Sequence, residues 1–182
     1  MLDTSFLDTR TPAAATATPR IHLASPADVP FIVDTLAAEA RRGHFNCDCT
    51  QPEVLRGLWH QVQSIVCDGV APMPDARDGA GGRAVVIQVG QVNAGFAILV
   101  EHAPRSWYQR IELFALATHE AYRQRGLARQ LVSNLVRDAQ SAVVSARCAP
   151  ASEGMLKLLE SCSFARVAAP ACGSVQLEYR RP

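Results

Sequence analysis

The sequence predicts an α/β (α+β) fold: a single mixed, mostly antiparallel central sheet of six to seven strands, flanked by about four helices. Three observations point to it. Apolar segments follow the order strand, two helices, three strands, helix, strand, helix, two strands. Residues 83–89 and 95–101 flank the turn Gly90-Gln91-Val92-Asn93 and form a central hairpin. A third apolar strand, 111–118, enters a helix through a basic loop carrying Gly126. The hairpin argues against a doubly wound sheet, which would alternate strand and helix throughout.

Residues 1–19 read as a disordered N-terminal tail, because the Ala/Thr/Pro-rich stretch 13–19 has few large apolar side chains to bury. Residues 20–182 form one domain. Arg20 to Ala24 is a short strand. Ser25-Pro26-Ala27-Asp28 starts a helix, with Ser25 as N-cap and Pro26 in the first turn. Val29, Ile32, Val33, Leu36, Ala37 and Ala40 then recur at helical spacing. After the loop Gly43-His44-Phe45-Asn46, Thr50-Gln51-Pro52-Glu53 has the form of a capping box. Val54, Leu58, Val62 and Ile65 give the helix behind it one apolar face. Gly69 to Gly82, rich in Gly, Pro and Asp, is a loop. The hairpin follows, then a polar stretch from Ala103 to Arg110 and the strand 111–118. The next helix spans about 125–139, with Leu127, Leu131 and Leu135 in register. Ala142 to Cys148 is a buried strand, Ser152 to Cys162 a short helix, and 164–168 and 175–179 are closing strands.

The chain's 182 residues suit one domain with a sizeable core. A net charge of +1 gives no footprint for nucleic acid, and no apolar run approaches a membrane span. Six cysteines without CxxC pairs point to free thiols in a reducing cytoplasm, and to no metal site. Cys47-Asp48-Cys49 is the one close pair, read as two thiols near a loop.

The junction after Thr118 has a chemistry of its own. The first turn of a helix presents N–H groups without intrahelical partners at the positive end of the helix dipole. Gly126 lets a ligand approach that backbone, and Arg123, Arg125 and Arg129 add charge. Such a junction suits a polyphosphate.

The residues here resemble the GNAT superfamily of N-acetyltransferases, whose hallmark is Arg/Gln-x-x-Gly-x-Gly/Ala at a strand-to-helix junction. This chain has Arg123-x-x-Gly126-x-Ala128, preceded by Tyr122 and, upstream, by Leu116-Ala117-Thr118 in place of the family's Leu-x-Val. The resemblance covers residues 20–180 in element order and is specific in 111–139. It implies that the backbone amides of about Gln124 to Ala128, thus of Gln124, Arg125, Gly126, Leu127 and Ala128, bind the pyrophosphate of acetyl-CoA, with Arg123 also a cofactor-binding residue. It implies that Leu116 and Thr118 offer backbone groups to the pantetheine arm and that the strand ending at Cys148 splays away. Ser152, where the family often has Asn, is a further cofactor contact. A backbone N–H near Leu116 would polarise the acetyl carbonyl.

Transfer to an amine needs a base. Glu112 is the candidate, because many members carry a glutamate there. Regular alternation puts Glu112, Phe114 and Leu116 on one face, where an inward carboxylate would titrate nearer neutrality. The competing reading is a surface charge at the strand's start. Glu101 and His102 end the neighbouring strand, either lining the substrate mouth or solvated. His119 and Glu120 read as loop residues, and His44 as either an acceptor contact or a surface side chain. Cys148 reads as an inert core thiol. The tyrosine that protonates the leaving thiolate in many members is replaced by Leu159, and the following Gly by Ser163; Ser161, Cys162 and Tyr179 have no positional support as substitutes. The expected function is acetyl transfer from acetyl-CoA to a primary amine of a small molecule or protein, by a monomer or homodimer. The alternative is a non-catalytic acyl-CoA-binding module of the same fold.

Overall fold

A computed structural model describes residues 17–45, 48–72, 80–102, 109–139, 143–168 and 173–180. The expected tail, apart from 17–19, and the loop residues Asn46 and Cys47 lie outside the described residues. The elements are β1 (Arg20–Leu23), α1 (Val29–Arg41), α2 (Pro52–Cys67), β2 (Val70–Ala71), β3 (Ala80–Val89), β4 (Val92–His102), β5 (Arg110–Thr118), α3 (Leu127–Asp138), β6 (Val143–Cys148), α4 (Glu153–Ser161), β7 (Ala165–Ala168) and β8 (Val175–Tyr179). Single 3₁₀ turns precede α1 and lie between β5 and α3.

All eight strands form one sheet in the order β1-β3-β4-β5-β6-β8-β7, with β2 pairing the start of β3. Every pairing is antiparallel except β5–β6. Helices cover both faces, and strand alternation sorts the apolar side chains between two cores. Ala97, Leu99, Leu113, Val144 and Leu177 pack with Leu127, Leu131 and Leu135 of α3 and Leu159 of α4. Val86, Phe96, Ile98 and Val100 pack with Ile32, Val33 and Leu36 of α1 and Val62 and Ile65 of α2.

Ser25 caps a 3₁₀ turn, Pro26–Asp28, that leads into α1, and Asp28, the N-cap of α1, is the hub of this entry. Asp28 accepts 2.8 Å bonds from the N–H and hydroxyl of Ser25 and from Asn93 Nδ2. Burial pushes its carboxyl up, but these bonds outweigh burial and hold it below its ordinary value. Two expectations need correction. Gln51, not Thr50, is the N-cap of α2, because Asp48 takes the Thr50 N–H at 3.1 Å, the Thr50 hydroxyl at 2.5 Å and Gln51 Nε2 at 2.9 Å. The stretch 69–82 is not all loop: β2 pairs Val70 with Gly81 and Ala71 with Ala80, which draws β3 back to residue 80.

Candidate active site

Two irregularities of β5 create the site. The first is a bulge: Ile98 pairs with Ala115 and Leu99 with Leu113, so Phe114 has no partner on β4. The extra residue switches the faces. Leu113 and Leu116 lie in the same core with α3, whereas Ala115 and Ala117 lie in the core with α1. This overturns the expected stripe of Glu112, Phe114 and Leu116. Glu112 pairs with Val100, on the α1 and α2 face, and Leu116 is on the other. Phe114 is 40% exposed.

The second irregularity is a splay. The β5–β6 pairing runs from Arg110↔Val143 to Leu113↔Ala146 and stops there. Beyond it, 114–118 of β5 and 147–149 line a cavity of about 350 Å³. One wall is Ala128 of α3 with Met155, Leu158 and Leu159 of α4. The opposite wall is Glu39, His44 and Phe45 at the end of α1. The gap therefore passes through the sheet and is reached from both helical layers. Within it the β5 backbone has one edge that no strand pairs, an arrangement that leaves peptide groups for a ligand.

At the top of the gap the chain turns into α3 through two left-handed residues, Gln124 with φ 60° and Gly126 with φ 75°. Gly126 is the N-cap of α3, and the first helical bond runs from Gln130 N to Gly126 O at 3.0 Å. The N–H groups of Leu127, Ala128 and Arg129 thus have no intrahelical acceptor. A Cβ built on Gly126 meets no atom within 4 Å. Glycine is needed here for its φ, and the space in front of it is free.

The loop arginines are placed otherwise than the sequence suggests. Arg123 turns back: Nη2 bonds buried Glu39 of α1, and Nε lies 3.4 Å from Thr118 O. Arg42 donates to the same Glu39 oxygen at 2.5 Å and to Glu120 at 2.6 Å. These ties fasten the loop to α1. Arg125 sits over the Tyr122 ring at 5.1 Å. Arg129 donates to Ser161 at 2.9 Å. His44 Nδ1 lies 3.5 Å from Ser152 Oγ and 4.0 Å from Glu39 Oε2. Ser152 is buried at the N-cap of α4.

Glu112 lies on the paired part of β5, one residue before the splay, and is not among the cavity's described lining. Its Oε2 is 2.8 Å from His102 Nε2, both side chains being partly exposed at 22% and 32%. The environment is therefore a contact between polar side chains at the edge of the α1 and α2 core, not an apolar stripe. Glu101 is engaged by Gln109 at 3.3 Å and lies 3.8 Å from Arg83. His119 caps the turn before the loop, accepting from Ala121 N at 3.4 Å. Cys148 lines the cavity, but burial, helped by the charge of Glu160, pushes its thiol up to about 11. A thiol that stays protonated is a poor nucleophile. Leu159 is buried against the cavity and has no proton to give.

The sequence over residues 53–164 matches the model of the acetyltransferase (GNAT) family. The chain belongs to the GNAT family. Solved structures agree on the fold at low identity. An acetyltransferase from Thermus thermophilus is 14% identical with a TM-score of 0.66, over 90% of this chain and 97% of that one. The yncA protein of Salmonella typhimurium, solved with acetyl-CoA, is 18% identical with a TM-score of 0.66, over 90% and 94%. The PaiA N-acetyltransferase of Thermoplasma acidophilum, solved with coenzyme A, is 10% identical with a TM-score of 0.67, over 90% and 99%. Curated proteins give no match. Among the described residues no helix is long and apolar enough to cross a membrane.

For this GNAT domain, the cavity gathers Leu116, Thr118, Arg123, Gln124, Ala128 and Ser152 of the residues singled out from sequence. Arg125, Gly126 and Leu127 are in the adjoining loop and first turn, and Glu112 stands outside. Sequence reasoning missed Glu39, Phe114 and Arg147. Glu39 did leave a trace: it follows Ile32 and Leu36 on the helical face that α1 buries.

Proposed function

We propose that the protein transfers the acetyl group of acetyl-CoA to a primary amine by direct attack. The observation that carries this reading is the unpaired β5 edge, 114–118, ending at a left-handed loop and the bare N-terminus of α3. An extended arm adds to such an edge as a strand does, and a pyrophosphate fits the helix N-terminus. The residues fit the cofactor: the space before Gly126 is open and Ala128 keeps the first turn low. Bound acetyl-CoA would supply the thioester. Leu116 and Thr118 offer backbone groups along the gap, and an N–H near Leu116 would face the charge that gathers on the carbonyl oxygen. Ser152 lies at the α4 wall of the same cavity.

Glu112 is the proposed base, with His102 as the group that orients it. The acceptor ammonium would lose one proton to Glu112, directly or through water, so that its lone pair can form the C–N bond as the C–S bond breaks, and the nitrogen's second excess proton would go to the departing thiolate or to water. A thiolate is a tolerable leaving group near neutral pH, so Leu159 does not forbid turnover. Leu159 does favour the second reading, an acyl-CoA-binding module without catalysis. A cytoplasmic setting belongs to the same reading, from six cysteines without CxxC pairs in a chain large enough to fold without disulfides.

CoA release across a panel of amines decides between the two. Turnover with any amine supports the enzyme, and a rate that falls at least tenfold in Glu112→Gln supports Glu112 as base. A saturable acetyl-CoA thermal shift without turnover supports the binding module. A Glu112→Gln enzyme with the wild-type rate at every pH removes Glu112 from the mechanism.

A further inference from the structure

We infer that the acceptor amine carries a carboxylate, and that Arg147 binds it. The inference rests on the acetyl-transfer reading above and names the substrate class for the same site. Val144, Ala146 and Cys148 of β6 face α3 and α4, so Ser145 and Arg147 face the opposite layer. Glu112 pairs with Ser145 and shares that face. Arg147 is two residues further along, about 6.6 Å at the rise of a parallel strand, just past the last β5–β6 pair. It is exposed and lines the cavity.

The charge balance there singles it out. Glu39 and Arg123 of the cavity lining hold each other. On the face that Arg147 shares, Glu178 is taken by Arg110 and Arg180, and Glu112 by His102. Among the described residues Arg147 has no carboxylate partner, so the cavity is left with one uncompensated cation beside the opening. A guanidinium takes a carboxylate in a bidentate pair. The cofactor's pyrophosphate is not the natural partner. The N-terminus of α3 lies beyond the far end of β5, and α3 packs on the opposite face of the sheet. An amino acid satisfies both ends, with its carboxylate on Arg147 and its amine toward Glu112 and the splay. Polyamines and other polycations are disfavoured by the same charge.

The test uses the full chain and matched triplets: each proteinogenic L-amino acid, its carboxamide and its decarboxylated amine, followed by CoA release. At least one amino acid should exceed its own carboxamide and amine in kcat/KM. Arg147→Gln should raise KM for that acid about 10- to 100-fold, as expected for a lost charge-assisted pair, with the carboxamide unchanged and the preference gone. Arg147→Lys should recover part of it, and the acetyl-CoA thermal shift should match wild type in both variants. A preference that survives Arg147→Gln, turnover confined to amines without an anionic group, or no amino acid accepted while acetyl-CoA still shifts the melting temperature would each overturn the inference. Loss of the acetyl-CoA shift in Arg147→Gln would overturn it too, by making Arg147 a cofactor ligand. A wild type without any acetyl-CoA shift would remove the transfer reading, and the inference with it.

Discussion

Gly126 separates folding from cofactor binding in one residue. Its φ of 75° is left-handed, and a Cβ there meets nothing within 4 Å. Gly126→Ala therefore costs only backbone strain, about 1–2 kcal/mol. Asp tolerates that left-handed backbone better, and its negative charge beside the first turn complements the dipole. So Gly126→Asp should fold at least as well as Gly126→Ala. For a domain of this size, either change lowers Tm by about 2–8 °C or less, at ~2–4 °C per kcal/mol. Acetyl-CoA at a hundred times its Kd stabilises the wild type by ~2.7 kcal/mol, or about 5–11 °C. In Gly126→Asp the carboxylate projects into the open space a pyrophosphate needs and repels it, so that shift should vanish. Gly126→Ala should keep part of it. Differential scanning fluorimetry with and without acetyl-CoA reads both terms. A Gly126→Asp protein that shifts like wild type would refute the reasoning, because the pyrophosphate would then bind elsewhere.

Three further predictions concern stability. Ser163 has φ 67° at the exposed end of α4, so Ser163→Gly should relieve about 1 kcal/mol and raise Tm by ~2–4 °C; no gain in thermal melting would contradict it. The Cys148 thiol sits at about 11 against an ordinary 9.0. The fold thus favours the neutral thiol, and the stability this contributes is intact below pH 9 and lost as pH rises through 11. Urea melts of wild type and Cys148→Ala between pH 8 and 11 should show a steeper alkaline loss in the wild type, and parallel curves would reject the assignment. Glu39→Gln removes the carboxylate holding Arg123 and Arg42, whose side chains are 38% and 41% exposed. It should cost about 1–3 kcal/mol after allowing for screening, measured by urea melting. It should also weaken the acetyl-CoA shift by loosening the loop, and unchanged stability together with an unchanged shift would count against the clamp.

What could be read from the sequence follows from how far each signal reaches. The face of α1 was legible because Val29, Ile32, Val33, Leu36, Ala37 and Ala40 repeat at 3.6 residues and bury together. The cofactor junction was legible because strand, Gly126 and helix are contiguous. The bulge at Phe114 was not: one extra residue leaves composition unchanged yet flips every later side chain to the other face, and so the grouping of Glu112 with Leu116 failed. Nor was β2, whose two residues sit in a Gly- and Pro-rich stretch and are ordered by pairing with β3. The Glu39–Arg123 tie joins positions 84 apart in sequence, where pattern carries no information. Nothing in the sequence marks Arg147: its place beside the gap follows from the β5–β6 register, and the occupation of the neighbouring carboxylates from contacts distant in sequence.

The proposed function requires that the unpaired β5 edge and the loop before α3 hold acetyl-CoA. Hydrogen exchange of the full chain, with and without saturating acetyl-CoA, tests it most directly. Cofactor should slow exchange at the amides of residues 114–118 and 124–129, and leave β3 and α2 as they were. Unchanged exchange in both segments, or protection confined to other parts of the sheet, would contradict the account.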